Sequence, residues 1–80
     1  MDKLNLTKEL QSFIQERCSE WKFYNIVVYL KSNSRKTNAE VIAKILEVNP
    51  DFSIQCIDSN TKDDKDEATI VFNQTGFKGG

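Results

Sequence analysis

The side chains that most often carry chemistry are scarce in this sequence, and histidine is absent altogether. The chain therefore lacks the commonest general base, the commonest metal ligand, and any Ser-His or Cys-His nucleophile system. Its two cysteines, Cys18 and Cys56, stand far apart and in no Cys-x-x-Cys pair, which reads as two free thiols in a reducing compartment. The acidic run from Asp58 to Glu67 invites a calcium reading. An EF-hand loop counted from Asp58 would need a central glycine and a closing glutamate. Asp63 and Thr69 stand at those positions, so a solvated loop is expected and no metal. A basic cluster remains. Lys31, Arg35 and Lys36 surround the expected start of a helix, where free N–H groups could join them in holding a carboxylate or phosphate. The same cations could equally belong to an ordinary solvated loop.

The elements that must position these residues are read from apolar spacing. Leu10, Phe13, Ile14, Cys18 and Trp21 recur at helical intervals. Thr7 or Asn5 can cap that first helix, with Leu6 folding back as a staple. The run Ile26, Val27, Val28, Tyr29, Leu30 is nearly continuous in apolar residues, as expected for a strand covered on both faces. A second helix follows "NSRKTN". Thr37 and Glu40 make a capping box, Val41, Ile42, Ile45 and Leu46 a buried stripe, and Pro50 a stop. The competing reading makes "VIAKILEV" a strand that turns at "NPD". In "FSIQCID" alternation turns Phe52, Ile54 and Cys56 inward, so Cys18 and Cys56 both read as buried filler. The last strand is "ATIVFN" and "QTG" the turn after it. Trp21, Phe23, Tyr24 and Tyr29 concentrate aromatic surface near the first strand, for packing and strand-end anchoring.

The expected order is α-β-α-β-β, an α/β fold. Its strand–helix–strand unit implies a parallel pair with a right-handed crossover, and the last strand adds antiparallel beside it. Residues 1–80 are read as one small domain with a single core, since 39% hydrophobic against 29% charged residues suits a folded chain. A net charge of −1 provides no global field toward nucleic acid or an anionic membrane. No apolar run reaches membrane-spanning length and "MDKLNLTKEL" lacks a signal-peptide core, so a cytoplasmic location is expected.

With that order in hand, "NIVVYLKSNSRKTNAEVIAKILEVNPDFSIQCID" resembles the opening of a glutaredoxin, a member of the thioredoxin-like family. In that family a helix leads into an apolar strand, a Lys-Ser step, and a Cys-x-x-Cys or Cys-x-x-Ser motif at the start of the next helix. Here Lys31 and Ser32 match the Lys-Ser step, while Ser34 and Thr37 occupy the positions of the two family cysteines. The run "VFNQTGFKGG" is similar to the family's later strand, glycine turn and Gly-Gly, with Thr69 at the position of its cis-proline. The departures are a redox motif without thiols, Thr69 in place of proline, a short segment from Asp58 to Glu67 where the family has a helix, and no final helix after Gly80. What the resemblance implies is a thioredoxin-like, glutaredoxin-type fold without those two helices. It also implies glutathione as a possible ligand, at Lys31, Ser34, Arg35, Lys36, Ala68 or Thr69, Gly79 and Gly80.

Catalysis is not expected from such a site. A serine at the nucleophile position has a far higher pKa than a cysteine, and no histidine can activate it. The leading expectation is a redox-inactive domain that works by binding another protein. The alternatives are a divergent glutathione-dependent thiol oxidoreductase, or a Gly-Gly-tailed modifier or processed polyprotein fragment. A ubiquitin-type β-grasp opens with a hairpin and then a helix, whereas here one strand is expected before the second helix.

Overall fold

A computed structural model describes residues 3–62 and 65–74. Helix α1 spans Lys8–Arg17 and is capped by Thr7, whose Oγ1 accepts the Leu10 N–H at 3.1 Å. Glu9 in its first turn and Arg17 in its last suit the helix dipole. Leu10 and Ile14 point into the core and are fully buried. The helix stops one turn short of the expected stripe. Cys18 and Trp21 belong instead to strand β1, Cys18–Tyr24. From Cys18 onward the side chains change period: Trp21 and Phe23 alternate with exposed Lys22 and Tyr24, and aromatic residues suit a pleated, half-buried surface. Asn25 and Ile26 then turn the chain into β2, Val27–Ser32. Asn25 takes φ 51°, a left-handed conformation that asparagine tolerates in tight hairpins.

Strand β2 buries Val28, Leu30 and Ser32 and leaves Val27, Tyr29 and Lys31 half-buried. It is thus covered on one face, not on both. Helix α2 spans Arg35–Val48 and ends at Asn49, just before Pro50, so the strand reading of "VIAKILEV" is not taken. Ser34 is its N-cap, in place of the expected Thr37–Glu40 box. Strands β3, Phe52–Lys62, and β4, Lys65–Gln74, form a long hairpin. The segment from Asp58 to Glu67, expected as a loop, is largely strand. Its polar residues have low β-propensity, but the register set by Ile57 opposite Ile70 carries the pairing out to Lys62 opposite Lys65.

The sheet order is β1-β2-β4-β3, and every pairing is antiparallel. The expected parallel pairing of β2 with β3 is therefore not formed: β4 lies between them. The crossover through α2 still returns β3 in the direction of β2, with a gap one strand wide. Burial explains which strand fills that gap. Ala68, Ile70 and Phe72 of β4 are buried on the helix side, while β3 carries exposed Ile54 and Ile57 and takes the edge. The chain is thus α-β-β twice over, and the strand order is the one a two-fold axis between β2 and β4 would generate. Both helices sit on one face, where Leu10, Ile14, Val41 and Ile45 meet Val28, Leu30, Ile70 and Phe72.

Asn49 ties the N-terminal segment to this layer. Its Oδ1 accepts the Asn5 N–H at 2.6 Å, and its Nδ2 donates to the carbonyls of Asn5 at 3.2 Å and Ile45 at 2.9 Å. Replacing it by alanine strands the Asn5 groups in a partly buried setting. Asn49→Ala is expected to lower unfolding free energy by about 1–3 kcal/mol in urea titration, and a change within error of zero would refute the clamp.

Candidate functional site

The start of α2, where the sequence concentrates its candidate residues, closes on itself. Ser34 Oγ accepts the Thr37 N–H at 3.1 Å and lies 3.0 Å from Thr37 Oγ1. Ser32 Oγ donates to the Ser34 carbonyl at 2.9 Å and accepts the Ser34 N–H at 3.3 Å. The hydroxyls at the two positions matched to the family cysteines are therefore neighbours, and their work is capping.

The three cations do not converge. Lys31 lies on the sheet face away from the helices and pairs with Glu67 at 3.7 Å. Arg35 reaches Asp66 at 3.9 Å from the helix side, and Lys36 is exposed on α2. Thr69 is half-buried on the same open face as Lys31, opposite Tyr29 on one side and Asp58 on the other. Because β4 is hydrogen-bonded along both edges, the backbone at Ala68 and Thr69 is already occupied by β2 and β3. No cis peptide occurs among the described residues. Gly79 and Gly80 lie outside the described residues.

The cysteines have opposite environments. Cys18 is buried, and burial pushes its thiol up against the smaller opposing pull of Arg17 and a backbone hydrogen bond at Lys31. Cys56 is exposed. The strict alternation Phe52, Ile54, Cys56 fails at a β-bulge: the β3–β4 register shifts between Ile54 and Cys56, with Gln55 the extra residue. Ile54 stands opposite Phe72 and Ile57 opposite Ile70, whereas Cys56 stands opposite Val71 on the uncovered face. One inserted residue thus exposes a thiol and places two isoleucines side by side on the helix face.

Ile57 borders a groove that residue spacing gave no means of finding. It lies between α2 and the β3–β4 hairpin, with a volume of about 180 Å³, and Ala39, Ile42, Ile57 and Ala68 provide most of its wall. Ile57 is 48% and Ile54 37% exposed, high values for isoleucine on a helix-covered face. At one end stand Arg35 and Asp66. Deep in the wall is Asn38, only 4% exposed. Its Nδ2 donates to the Asp66 carbonyl at 3.3 Å, while its Oδ1 is buried without a partner among the described residues. An unpaired buried acceptor costs about 1–3 kcal/mol.

The open sheet face is mixed rather than apolar. Lys22, Lys31, Glu20, Glu67 and Asp58 interleave with Val27, Tyr29, Val71 and Tyr24, the last 66% exposed. Desolvation raises the Tyr29 phenol, as do the Glu67 and Glu20 carboxylates and its hydrogen bond to Glu67. Among the described residues no helix is long and apolar enough to cross a membrane. No family model, no curated protein and no solved structure matches the chain.

Two measurements check these environments. A thiol reagent is expected to modify Cys56 of the native protein within minutes and Cys18 only on unfolding; equal rates would contradict the burial difference. Tyr29 keeps its proton longer in the folded chain than in the unfolded one. Its contribution is therefore complete below about pH 10 and lost as pH rises through the folded value. Tyr29→Phe is expected to make the alkaline fall in stability shallower, and an unchanged fall would exclude that role.

Proposed function

We propose that this domain acts by binding another protein, which it engages through the β3 edge and the groove beside α2, and that it performs no redox chemistry. The observation that carries the reading is the pair Ile54 and Ile57, exposed next to each other on a long edge strand. An edge presents unpaired backbone N–H and C=O groups, and an extended segment can add to it while alternate side chains enter adjoining pockets. From the glutaredoxin resemblance the proposal keeps the loss of the catalytic thiols and the binding role. It leaves aside the thioredoxin-like sheet and a glutathione site. β4 separates β2 from β3, and Lys31 lies on the opposite face of the sheet from α2.

The side chains support a reading without thiol chemistry. Ser34 and Thr37 cannot form a disulfide, Cys18 is buried, and exposed Cys56 has no second cysteine beside it among the described residues. Selection of a displayed library of extended peptides on the immobilised domain is expected to enrich binders that shift the amides of residues 54–59. Ile57→Lys should weaken those binders by at least about tenfold, or about 1.4 kcal/mol. Binders that map elsewhere and ignore Ile57→Lys would overturn the proposal, as would disulfide-exchange turnover that disappears in Cys56→Ala.

A further inference from the structure

The sheet face turned away from the helices carries charges that a rotated copy of the same face would match. Consider a second copy laid on it, related by a two-fold axis parallel to the strands and passing between β2 and β4. Such an axis keeps each cross-strand row level and reverses the strand order. β1 then lies over β3 of the second copy, and β2 over β4. In the row where Lys31 stands beside Glu67, Lys31 comes over Glu67 of the second copy and Glu67 over Lys31. With the ion pair already present within each chain at 3.7 Å, these contacts make a square of alternating charge on the axis. In the next row Lys22 lies at the β1 flank, beside Tyr29, and Asp58 at the β3 flank, beside Thr69. Both are exposed, and neither has an ion-pair partner among the described residues. The rotation sets each Lys22 over an Asp58. In the third row Val27 meets Val71, and Tyr24, 66% exposed, covers the exposed Cys56.

The same charges decide against the other symmetric stacking. A two-fold axis across the strands would set Lys22 on Lys22 and Asp58 on Asp58, and like charges in juxtaposition oppose association. Packed sheets cross at about 30°, and the long side chain of Lys22 spans the offset that this angle makes at the flank. We propose that the open sheet face is an isologous dimer interface whose occupant is a second copy of this chain. Four strands about 4.8 Å apart and about six residues long give a footprint of roughly 400 Å² per copy in projection. That lies at the small end of specific interfaces, so the dimer is weak and reversible, forming near about 10⁻⁴ M. The β3 edge and the groove stay uncovered in it, so it goes beyond the binding role proposed above and stands or falls separately.

Sedimentation equilibrium of the whole chain between about 10 µM and 1 mM is expected to show monomer giving way to dimer, with concentration-dependent amide shifts at Tyr29, Thr69 and Val71. Lys22→Asp and Asp58→Lys each turn two attractions per dimer into repulsions, and each alone should weaken association at least about tenfold. Mixed in equal amounts, the two variants form a heterodimer in which both pairs are again of opposite sign, so association should return. Ile57→Lys, on the helix face, should dimerise as the parent chain does. With oxidised glutathione as the oxidant, Tyr24→Cys is expected to form a disulfide with Cys56 of the second copy. The parent should not, because its two Cys56 residues lie on opposite flanks, about 14 Å apart. A chain that stays monomeric at every concentration would overturn the dimer. Association that survives both single substitutions, or that mixing them fails to restore, would overturn its assignment to this face. Loss of the dimer in Ile57→Lys would do the same by moving the contact to the β3 edge.

Discussion

The antiparallel pairing of β2 with β4 is the constraint on which the other features depend. It sets Val28 against Ile70 and Leu30 against Ala68 on the buried face, in the layer where both helices dock. β4 enters this position after β3 in the chain, so it displaces β3 outward and makes an edge of a strand that would otherwise have been internal. The edge position in turn leaves Ile54 and Ile57 uncovered, and the backbone of β4 at Ala68 and Thr69 is sealed from both sides. One pairing choice therefore closes one candidate site and opens another.

Each edge carries a register shift, between Cys18 and Glu20 on β1 and between Ile54 and Cys56 on β3. Bulges at edges twist the strand and discourage indiscriminate sheet-to-sheet pairing. β1 adds Glu20 and Lys22 to that protection and roofs its helix face with two aromatic rings. β3 has a bulge as well, but past it the strand runs regularly from Cys56 to Lys62 beside a groove with no aromatic filling. Asp58 is a charged residue along that stretch, which favours selective recognition over nonspecific association. The two-fold arrangement makes the contrast meaningful: equivalent edges are roofed by aromatic rings on one side and left open on the other.

Much of the fold was legible because it rests on local signals. The Thr7 cap, the stripe Val41–Ile45, the stop before Pro50 and the strand character of the runs around Val28, Ile54 and Ile70 are all properties of a few adjacent residues. The misreadings share a different cause. Cys18 and Trp21 fit a helical period and a strand period alike, and the hairpin formed through Asn25 decided for the strand. Cys56 fits perfect alternation, which a single bulge at Gln55 reverses, and no residue type there announces the insertion. The parallel pairing was inferred from a strand–helix–strand unit, whose handedness and length leave open whether a later strand enters the gap. The capping box Thr37–Glu40 lost to Ser34, one turn earlier, because Ser32 and Ser34 bind each other and Arg35 and Lys36 extend a helix well. As for the site, Lys31, Ser34, Arg35 and Thr69 were visible as residue types. Whether they face one another is a question of sheet face, which spacing alone does not answer.

Binding an anion at the start of α2 calls for cations that converge on the helix terminus, and the fold does not bring Lys31, Arg35 and Lys36 together. Ser34 takes the Thr37 N–H, Glu67 matches Lys31, and Asp66 lies against Arg35. These long, partly exposed pairs contribute little to stability, about 0–1 kcal/mol each, yet they lower the local potential that an incoming carboxylate would meet. By contrast, the features near β3 are incomplete as they stand: two isoleucines partly in water, an edge of backbone groups, and an Asn38 oxygen without a donor among the described residues. An extended segment laid along β3 would cover the isoleucines and pair the backbone groups in one event. The sheet order that removes the helix terminus from contention is thus the same feature that assembles the surface where binding has most to gain.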